Sequence, residues 1–209
     1  MTEQANRTLK AGRNCRSAAF LSLTALALLT GCTRPVTWEE EVPLTTGETI
    51  WVKRSGTYSF NYNAGSAHVG YSPDWKSTIE FTYKNKKYVY AGEAFPMVLA
   101  ISPEGEPNLI SSAGVWGNQH GYPCVTPYYV QFRPDSSGMN WTWPDQIESW
   151  LYNLPSNLLV GLPPLKDDGK LIRPLDRKRL NGSILIFSDY QRIDPSKRPE
   201  NCVNSKTVR

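Results

Sequence analysis

The sequence has little of what most enzymes use. Its 209 residues include two histidines, and they contain no G-x-S-x-G motif, no H-E-x-x-H motif and no glycine-rich phosphate loop. No pair of acidic residues stands in a context that demands acid/base use, although two carboxylates distant in sequence can meet in a fold. The sequence therefore predicts no catalytic residue, no cofactor and no metal site, without excluding an enzyme.

The chain also has no apolar run long enough to span a membrane. The longest run extends over residues 18–29, whereas a spanning helix needs about 20 apolar residues. Residues 1–16 are polar and basic, and small residues follow the apolar run. This layout is typical of a secretory signal that is removed after export. We therefore expect residues 1–31 to be a leader and residues 32–209 to be the mature protein.

The last residues of this leader carry a more specific motif. Leu29-Thr30-Gly31-Cys32 resembles the lipobox of bacterial lipoproteins. The resemblance implies cleavage between Gly31 and Cys32 and a diacylglycerol group on the Cys32 thiol, with fatty acids of the palmitate class. Two or more acyl chains attach a protein stably, whereas one chain binds reversibly. Thr33 stands where many inner-membrane lipoproteins carry Asp, so the resemblance favours the periplasmic leaflet of the outer membrane.

The excess of positive charge belongs to the leader. Four of the 23 basic residues and one of the 19 acidic residues precede Cys32, which leaves 19 basic and 18 acidic residues in the mature part. Proteins that bind nucleic acid need a concentrated basic surface. The sequence therefore predicts no nucleic-acid partner. The expected partners are the membrane, through lipid on Cys32, and an envelope protein or a glycan.

Only four cysteines are present, and two of them remain for the folded domain. Cys15 lies in the leader and Cys32 is the predicted lipidation site, so Cys124 and Cys202 are left. Disulfides persist in exported proteins, and these two residues allow one intramolecular pair. Closing a loop of about 80 residues would stabilise the fold by about 4 kcal/mol in the chain-entropy model. We predict a Cys124–Cys202 disulfide, with two separate free thiols as the alternative.

A catalytic or metal-binding role for one of these cysteines is a weaker hypothesis. His120 precedes Cys124 by four residues, and a Cys/His pair can form a thiolate nucleophile. The segment 117–124 contains two glycines and a proline, so it is expected to be a loop in which this spacing makes no helical face. His68 could be added as a metal ligand, but no paired ligand spacing supports a metal site.

Short alternating segments separated by turn residues predict strands through most of the mature chain. Residues 36–44 and 48–54 form one expected hairpin, with Trp38 and Val42 on a shared face, and residues 77–83 and 87–93 form another. Further strands are expected at residues 97–102, 107–112, 127–134, 139–143 and 183–190, the first of them central in its sheet.

Two short helices complete the predicted fold. Apolar residues at helical spacing predict one helix over residues 145–152, and a proline before and a glycine after predict another over residues 175–180. The fold class is therefore mainly β: a single antiparallel sandwich or open barrel with one or two short helices. The segments 37–54 and 127–143 are similar to small envelope lipoproteins of some proteobacteria that have no assigned activity, which supports this class and implies no mechanism.

The aromatic residues suggest a specific binding function, the recognition of a glycan. Seven tryptophans are present, and Trp141, Trp143 and Trp150 lie within ten residues. Flat aromatic faces stack on sugar rings, so these residues could bind peptidoglycan or another polysaccharide. Packing in a core or between sheets explains them equally well. The leading expectation is a membrane-anchored envelope lipoprotein with a structural or binding role, and glycan binding is the alternative.

Two charged segments are expected to be solvated. The acidic run Glu39-Glu40-Glu41 is divided between the two faces of a strand, because successive side chains alternate. Charge of this kind suits an edge strand, where it discourages unwanted pairing. The basic segment 173–182 is expected to form a solvated helix face. Neither segment predicts a site.

Overall fold

Two β-sheets make up most of the structure. The computed structural model describes residues 33–62, 69–113, 121–183 and 191–199. In these ranges the strands are β1 (Thr33–Pro43), β2 (Thr49–Tyr62), β3 (Val69–Tyr83), β4 (Lys86–Gly92), β5 (Pro96–Ile101), β6 (Pro107–Ser112), β7 (Tyr129–Pro134), β8 (Trp141–Thr142) and β9 (Leu171–Ile172). One α-helix, α1 (Pro174–Ser183), follows β9. The fold is mainly β, a sandwich with a short helix, as the sequence predicted.

The first sheet contains both predicted hairpins. Its strand order is β4-β3-β2-β1-β9. The turn between β3 and β4 places Lys84 and Asn85 at φ angles of 46° and 62°, which is the left-handed pair that a tight two-residue hairpin needs. The short strand β9 pairs with β1 in parallel, with Glu39 opposite Leu171. This pair differs from the antiparallel arrangement that the sequence predicted, because β9 reaches β1 through a long connection.

The second sheet has the order β5-β6-β7-β8. The prediction that β5 is a central strand was wrong, since it lies at the edge of this sheet. All six of its residues are nevertheless buried. Another segment covers its free side: the Leu99 amide donates to the Asn157 side-chain oxygen at 2.8 Å, and the Leu158 amide donates to the Met97 carbonyl at 3.1 Å. Covering an edge in this way satisfies backbone groups that would otherwise be unpaired.

The main core lies between the two sheets. It is built from inward-facing residues of both sheets, among them Val42, Ile79, Phe81, Tyr90, Leu99, Leu109 and Phe132. A second apolar cluster packs on the other face of the second sheet and includes Met97, Ile110, Tyr129, Ile147, Leu151 and Val160. Burial on both faces explains why β5 is apolar throughout rather than alternating.

Only one of the two predicted helices forms over its full length. Helix α1 contains the predicted segment 175–180 and begins at Pro174, whose fixed φ suits a first helical position. The segment 145–152 instead contains a single 3-10 turn, Ser149–Leu151. Its apolar residues still point into the second cluster, so their spacing reflects burial and not a helix. The predicted strand at 183–190 lies outside the described residues, apart from the end of α1.

The clearest departure from the sequence predictions is the burial of Glu40. The prediction of a solvated edge strand was wrong, because β1 lies between β2 and β9 and Glu40 is 0% exposed. Its Oε1 accepts hydrogen bonds from Trp38 Nε1 at 2.7 Å and from Arg54 Nη1 at 2.8 Å. Its Oε2 accepts from the Leu159 amide at 2.8 Å. Alternation places Glu40 on the same face as Trp38 and Val42, which is the face that the core covers.

Two arginines accompany this carboxylate. Arg54 is 1% exposed, donates to the Leu159 carbonyl and lies 5.0 Å above the Trp38 ring. Within the described ranges its Nε and Nη2 atoms are buried without a hydrogen-bond partner. Arg177 of α1, 5% exposed, donates to the Glu41 carbonyl at 2.8 Å. The prediction of a fully solvated basic helix was therefore wrong at Arg177. This hydrogen bond links α1 to β1.

We expect Glu40→Gln to destabilise the fold by about 3–5 kcal/mol, because it leaves the Arg54 guanidinium buried without a counter-charge. Urea unfolding followed by circular dichroism measures this loss. The matched control is Glu39→Gln on the exposed face of the same strand, expected to change stability by less than about 0.5 kcal/mol. The double variant Glu40→Met, Arg54→Met removes the unpaired charge but leaves the Trp38 N–H and the Leu159 amide without their acceptor, so it should recover only part of the loss. Equal stability of Glu40→Gln and the unmodified protein would contradict this prediction.

Candidate functional site

A cavity lined by aromatic side chains lies between the end of β4 and the segment around β8. Its volume is about 590 Å³, within the range of roughly 300–1,000 Å³ that is usual for small-molecule sites. Tyr90, Tyr122, Phe132, Trp141 and Trp143 contribute its aromatic wall, and Gly92, Glu93 and Asn140 are among the other lining residues. We call this cavity the aromatic cleft.

A tight turn after β7 attaches one side of the cleft to the edge of β4. The Val89 amide donates to the Gly138 carbonyl at 2.9 Å, and Trp141 Nε1 donates to the Val89 carbonyl at 2.8 Å. Gly138 has a φ of 78°, and a Cβ atom there would lie 2.6 Å from the Lys87 carbonyl oxygen. Only glycine permits this approach, because it lacks a Cβ and tolerates positive φ. The edge of β4 and the turn are therefore held together.

Asp135 organises the same turn. Its Oδ1 accepts hydrogen bonds from the Ser137 and Gly138 amides, both at 3.0 Å, and its Oδ2 accepts from Asn140 Nδ2 at 2.8 Å. These bonds, led by those from the Ser137 and Asn140 side chains, hold the pKa of Asp135 well below its usual range. The carboxylate is consequently ionised at neutral pH and keeps its bonding pattern.

Two of the three predicted glycan-binding tryptophans meet in this cleft. The Trp141 ring lies edge-on to Tyr90, with 5.8 Å between centroids, and is half-buried. Trp143 is 45% exposed and lies edge-on to Tyr122 and Phe132, at 5.5 and 6.2 Å. In the part of the chain that the structure describes, the indole N–H of Trp143 makes no hydrogen bond. Trp143 therefore presents both an aromatic surface and an unused donor.

Trp150 is not brought to the cleft. It packs against the second apolar cluster, and its Nε1 donates to Glu148 Oε2 at 2.8 Å. Glu148 also accepts a hydrogen bond from Gln131 Nε2 at 3.0 Å and pairs with Arg133 at 2.8 Å. These partners, with the Gln131 bond foremost, lower the pKa of Glu148. Trp150 thus has a packing role in this arrangement.

The floor of the cleft contains a buried hydroxyl. Tyr90 is 3% exposed, and its OH group has no hydrogen-bond partner among the described residues, although the Ala94 backbone lies near it. A Cβ atom at Gly92 would lie 2.3 Å from this oxygen, so Gly92 provides the space that it occupies. Burial raises the pKa of Tyr90 far above its ordinary value, and burial also raises the pKa of Tyr122. Both groups are neutral phenols at physiological pH.

The other predicted site residues lie mostly outside the described ranges. This applies to Gly31 and Cys32, to Cys202, and to both histidines. Cys124 is described and is half-buried, and its pairing with Cys202 stays a prediction. In residues 33–62, 69–113, 121–183 and 191–199, no group of three or more His, Cys, Asp or Glu side chains could hold a metal ion. The same residues include no helix with the length and apolar character to cross a membrane.

Comparison of the chain with models of known families, with curated proteins and with solved structures gives no match. Function must therefore be inferred from the chain's own residues. The sequence pointed to Trp141 and Trp143 through their proximity, but it missed Tyr90, Tyr122 and Gly92. The alternation in β4 places Tyr88 and Tyr90 on one face, which is a partial signal. Nothing in the sequence indicates that Tyr122 lies beside Trp143, because that contact joins two distant segments.

Replacing Gly138 by alanine tests how the turn supports the cleft. We expect Gly138→Ala to destabilise the protein by more than the roughly 1–2 kcal/mol that a left-handed alanine costs, because its Cβ also meets the Lys87 carbonyl. Gly47→Ala is the matched control, since Gly47 has a φ of 86° but no atom within 4 Å of its Cβ position. Urea midpoints of the two variants give the difference. Equal losses would show that the contact with β4 has no energetic role.

Proposed function

We propose that this chain is a lipid-anchored envelope protein that binds a saccharide in the aromatic cleft. The observation that carries the proposal is Trp143: its ring is 45% exposed, it lies beside Trp141 in a cavity of about 590 Å³, and its N–H makes no hydrogen bond within the described residues. In contrast, Trp38 is 1% exposed and its N–H donates to Glu40, as is usual for a tryptophan packed in a core.

The chemistry of the cleft suits a sugar better than a purely apolar ligand. Sugar rings have apolar C–H faces, which pack on aromatic rings, and an equatorial belt of hydroxyls, which need hydrogen-bond partners. The cleft offers both kinds of surface. Asn140 uses its amide nitrogen to bind Asp135, and its side-chain oxygen accepts no hydrogen bond from any described residue. The exposed Glu93 carboxylate stands at the rim.

The predicted leader supports a location in the cell envelope, close to saccharides. The lipobox resemblance implies an acylated Cys32, and β1 begins at Thr33, directly after it. Along the chain, only Thr33 and Arg34 lie between Cys32 and the compact unit that begins at Pro35. A domain anchored in this way would stay close to the bilayer, where envelope glycans are concentrated.

Binding of saccharide to the cleft is tested with the purified protein in detergent, isolated peptidoglycan and N-acetylglucosamine oligosaccharides. We expect the protein to sediment with peptidoglycan and to bind the oligosaccharides in calorimetric titrations. Trp143→Ala should weaken binding at least tenfold, about 1.4 kcal/mol, because it removes the exposed ring and its donor.

Trp51→Ala is the matched control, because Trp51 is 51% exposed on β2 and lies outside the cleft. It should bind as the unmodified protein does. Failure of the unmodified protein to bind either ligand would refute saccharide binding, and an equal loss in both variants would refute the assignment to the cleft.

Lipid attachment has its own test. Cells that express the full chain are expected to incorporate labelled palmitate into it, and Cys32→Ala should abolish the label because the acceptor thiol is gone. Cys15→Ala is the control and should keep the label, because Cys15 lies in the leader outside the lipobox motif. Membrane fractionation of the same strains measures anchoring. An unlabelled protein with an intact leader would overturn the anchoring part of the proposal.

A further inference from the structure

A second cavity lies against the first sheet and shares a wall with the aromatic cleft. Its volume is about 520 Å³, and its lining comes mainly from β2, β3 and the end of β4. Ala91, Gly92 and Glu93 line both cavities. A molecule that passes from one cavity to the other therefore crosses these three residues.

Two of the three residues that line both cavities are small. Gly92 has no side chain, the Tyr90 hydroxyl lying where its Cβ would be, and Ala91 presents only an exposed methyl group. Strand β4 is the outermost strand on that side of its sheet and ends at Gly92. The turn after β7 covers the β4 edge at Val89, before Ala91 and Gly92. An extended ligand could therefore cross the end of β4 without displacing a large side chain.

The two cavities differ in chemistry. The second has no aromatic residue in its lining as the structure describes it, and it has hydroxyl groups in place of aromatic rings. Ser55, Thr57 and Thr78 line it and are half-buried, and their hydroxyls take part in no hydrogen bond with any described residue. Lys76 and Glu93, 3.9 Å apart, stand at its rim. These groups can donate and accept hydrogen bonds along a polar chain.

We infer that the ligand of this protein is a linear oligosaccharide longer than the aromatic cleft, bound across the end of β4 into the second cavity. This inference rests on the proposed saccharide binding. Rings at one end of the chain stack in the aromatic cleft. The following units lie over Ala91 and Gly92, and the hydroxyls of Ser55, Thr57 and Thr78 hold them. A single sugar would leave these hydroxyls unused.

Chain length tests the inference directly, with N-acetylglucosamine oligosaccharides of two and six units in calorimetric titrations. We expect the hexamer to bind the unmodified protein at least tenfold more tightly than the dimer. This gain should exceed the purely statistical gain that a longer chain has because it offers more positions at which its sugars can enter the cleft. The double variant Thr57→Val, Thr78→Val should weaken hexamer binding about tenfold and leave dimer binding unchanged. Valine has nearly the same shape and strand preference as threonine and carries a methyl group in place of the hydroxyl.

Trp143→Ala is the contrasting variant and should weaken binding of both lengths, because both use the aromatic cleft. Thermal unfolding checks that the double variant is folded, and Ser55→Ala replaces it if it is not. Equal affinity for dimer and hexamer, or equal weakening of both by the hydroxyl variants, would overturn the extended site and leave the saccharide cleft in place. Failure of both lengths to bind would refute the proposed function itself, and the inference with it.

Discussion

The buried pair of Glu40 and Arg54 is the constraint on which the first sheet depends. A carboxylate and a guanidinium removed from water must be neutralised and hydrogen-bonded, and the cost of leaving either alone is several kcal/mol. The fold meets this requirement by joining β1, β2 and the segment at Leu159, whose amide and carbonyl both contribute. A shift of β1 by one residue would turn Glu40 to the opposite face and leave Arg54 unpaired. The pair therefore fixes the register of the sheet centre.

The position of the aromatic cleft depends on the strand order of the same sheet. Strand β4 is its outer strand, and the edge of β4 needs partners. The turn organised by Asp135 supplies them and carries Trp141 and Trp143 to the end of β4. The residues that line the cleft are thus held in place by hydrogen-bonded strands and a tight turn. A site held in this way loses little conformational freedom when a ligand binds, which favours affinity.

Sequence reasoning succeeded where contacts are local. The β3–β4 hairpin was predictable because alternation and the Lys84-Asn85 turn act over neighbouring residues, and Pro174 marked the start of α1. It failed where distant segments decide the outcome. The segment 145–152 has helical spacing, but its apolar residues are buried without a helix because the second sheet covers them. Glu40 is the sharper case: alternation correctly divided the acidic run between two faces, yet nothing local indicated that Arg54 would meet it.

By itself the sequence determined the mainly β class, the two hairpins of the first sheet and the short helix, since periodicity and turn residues act within one segment. The leader and its lipidation remain predictions from the sequence. Only the tertiary structure decided that Glu40 and Arg177 are buried, that Trp141 and Trp143 share a cleft and that Trp150 does not. Alternation states which side chains share a face of a strand, but what covers that face depends on residues far away in the chain.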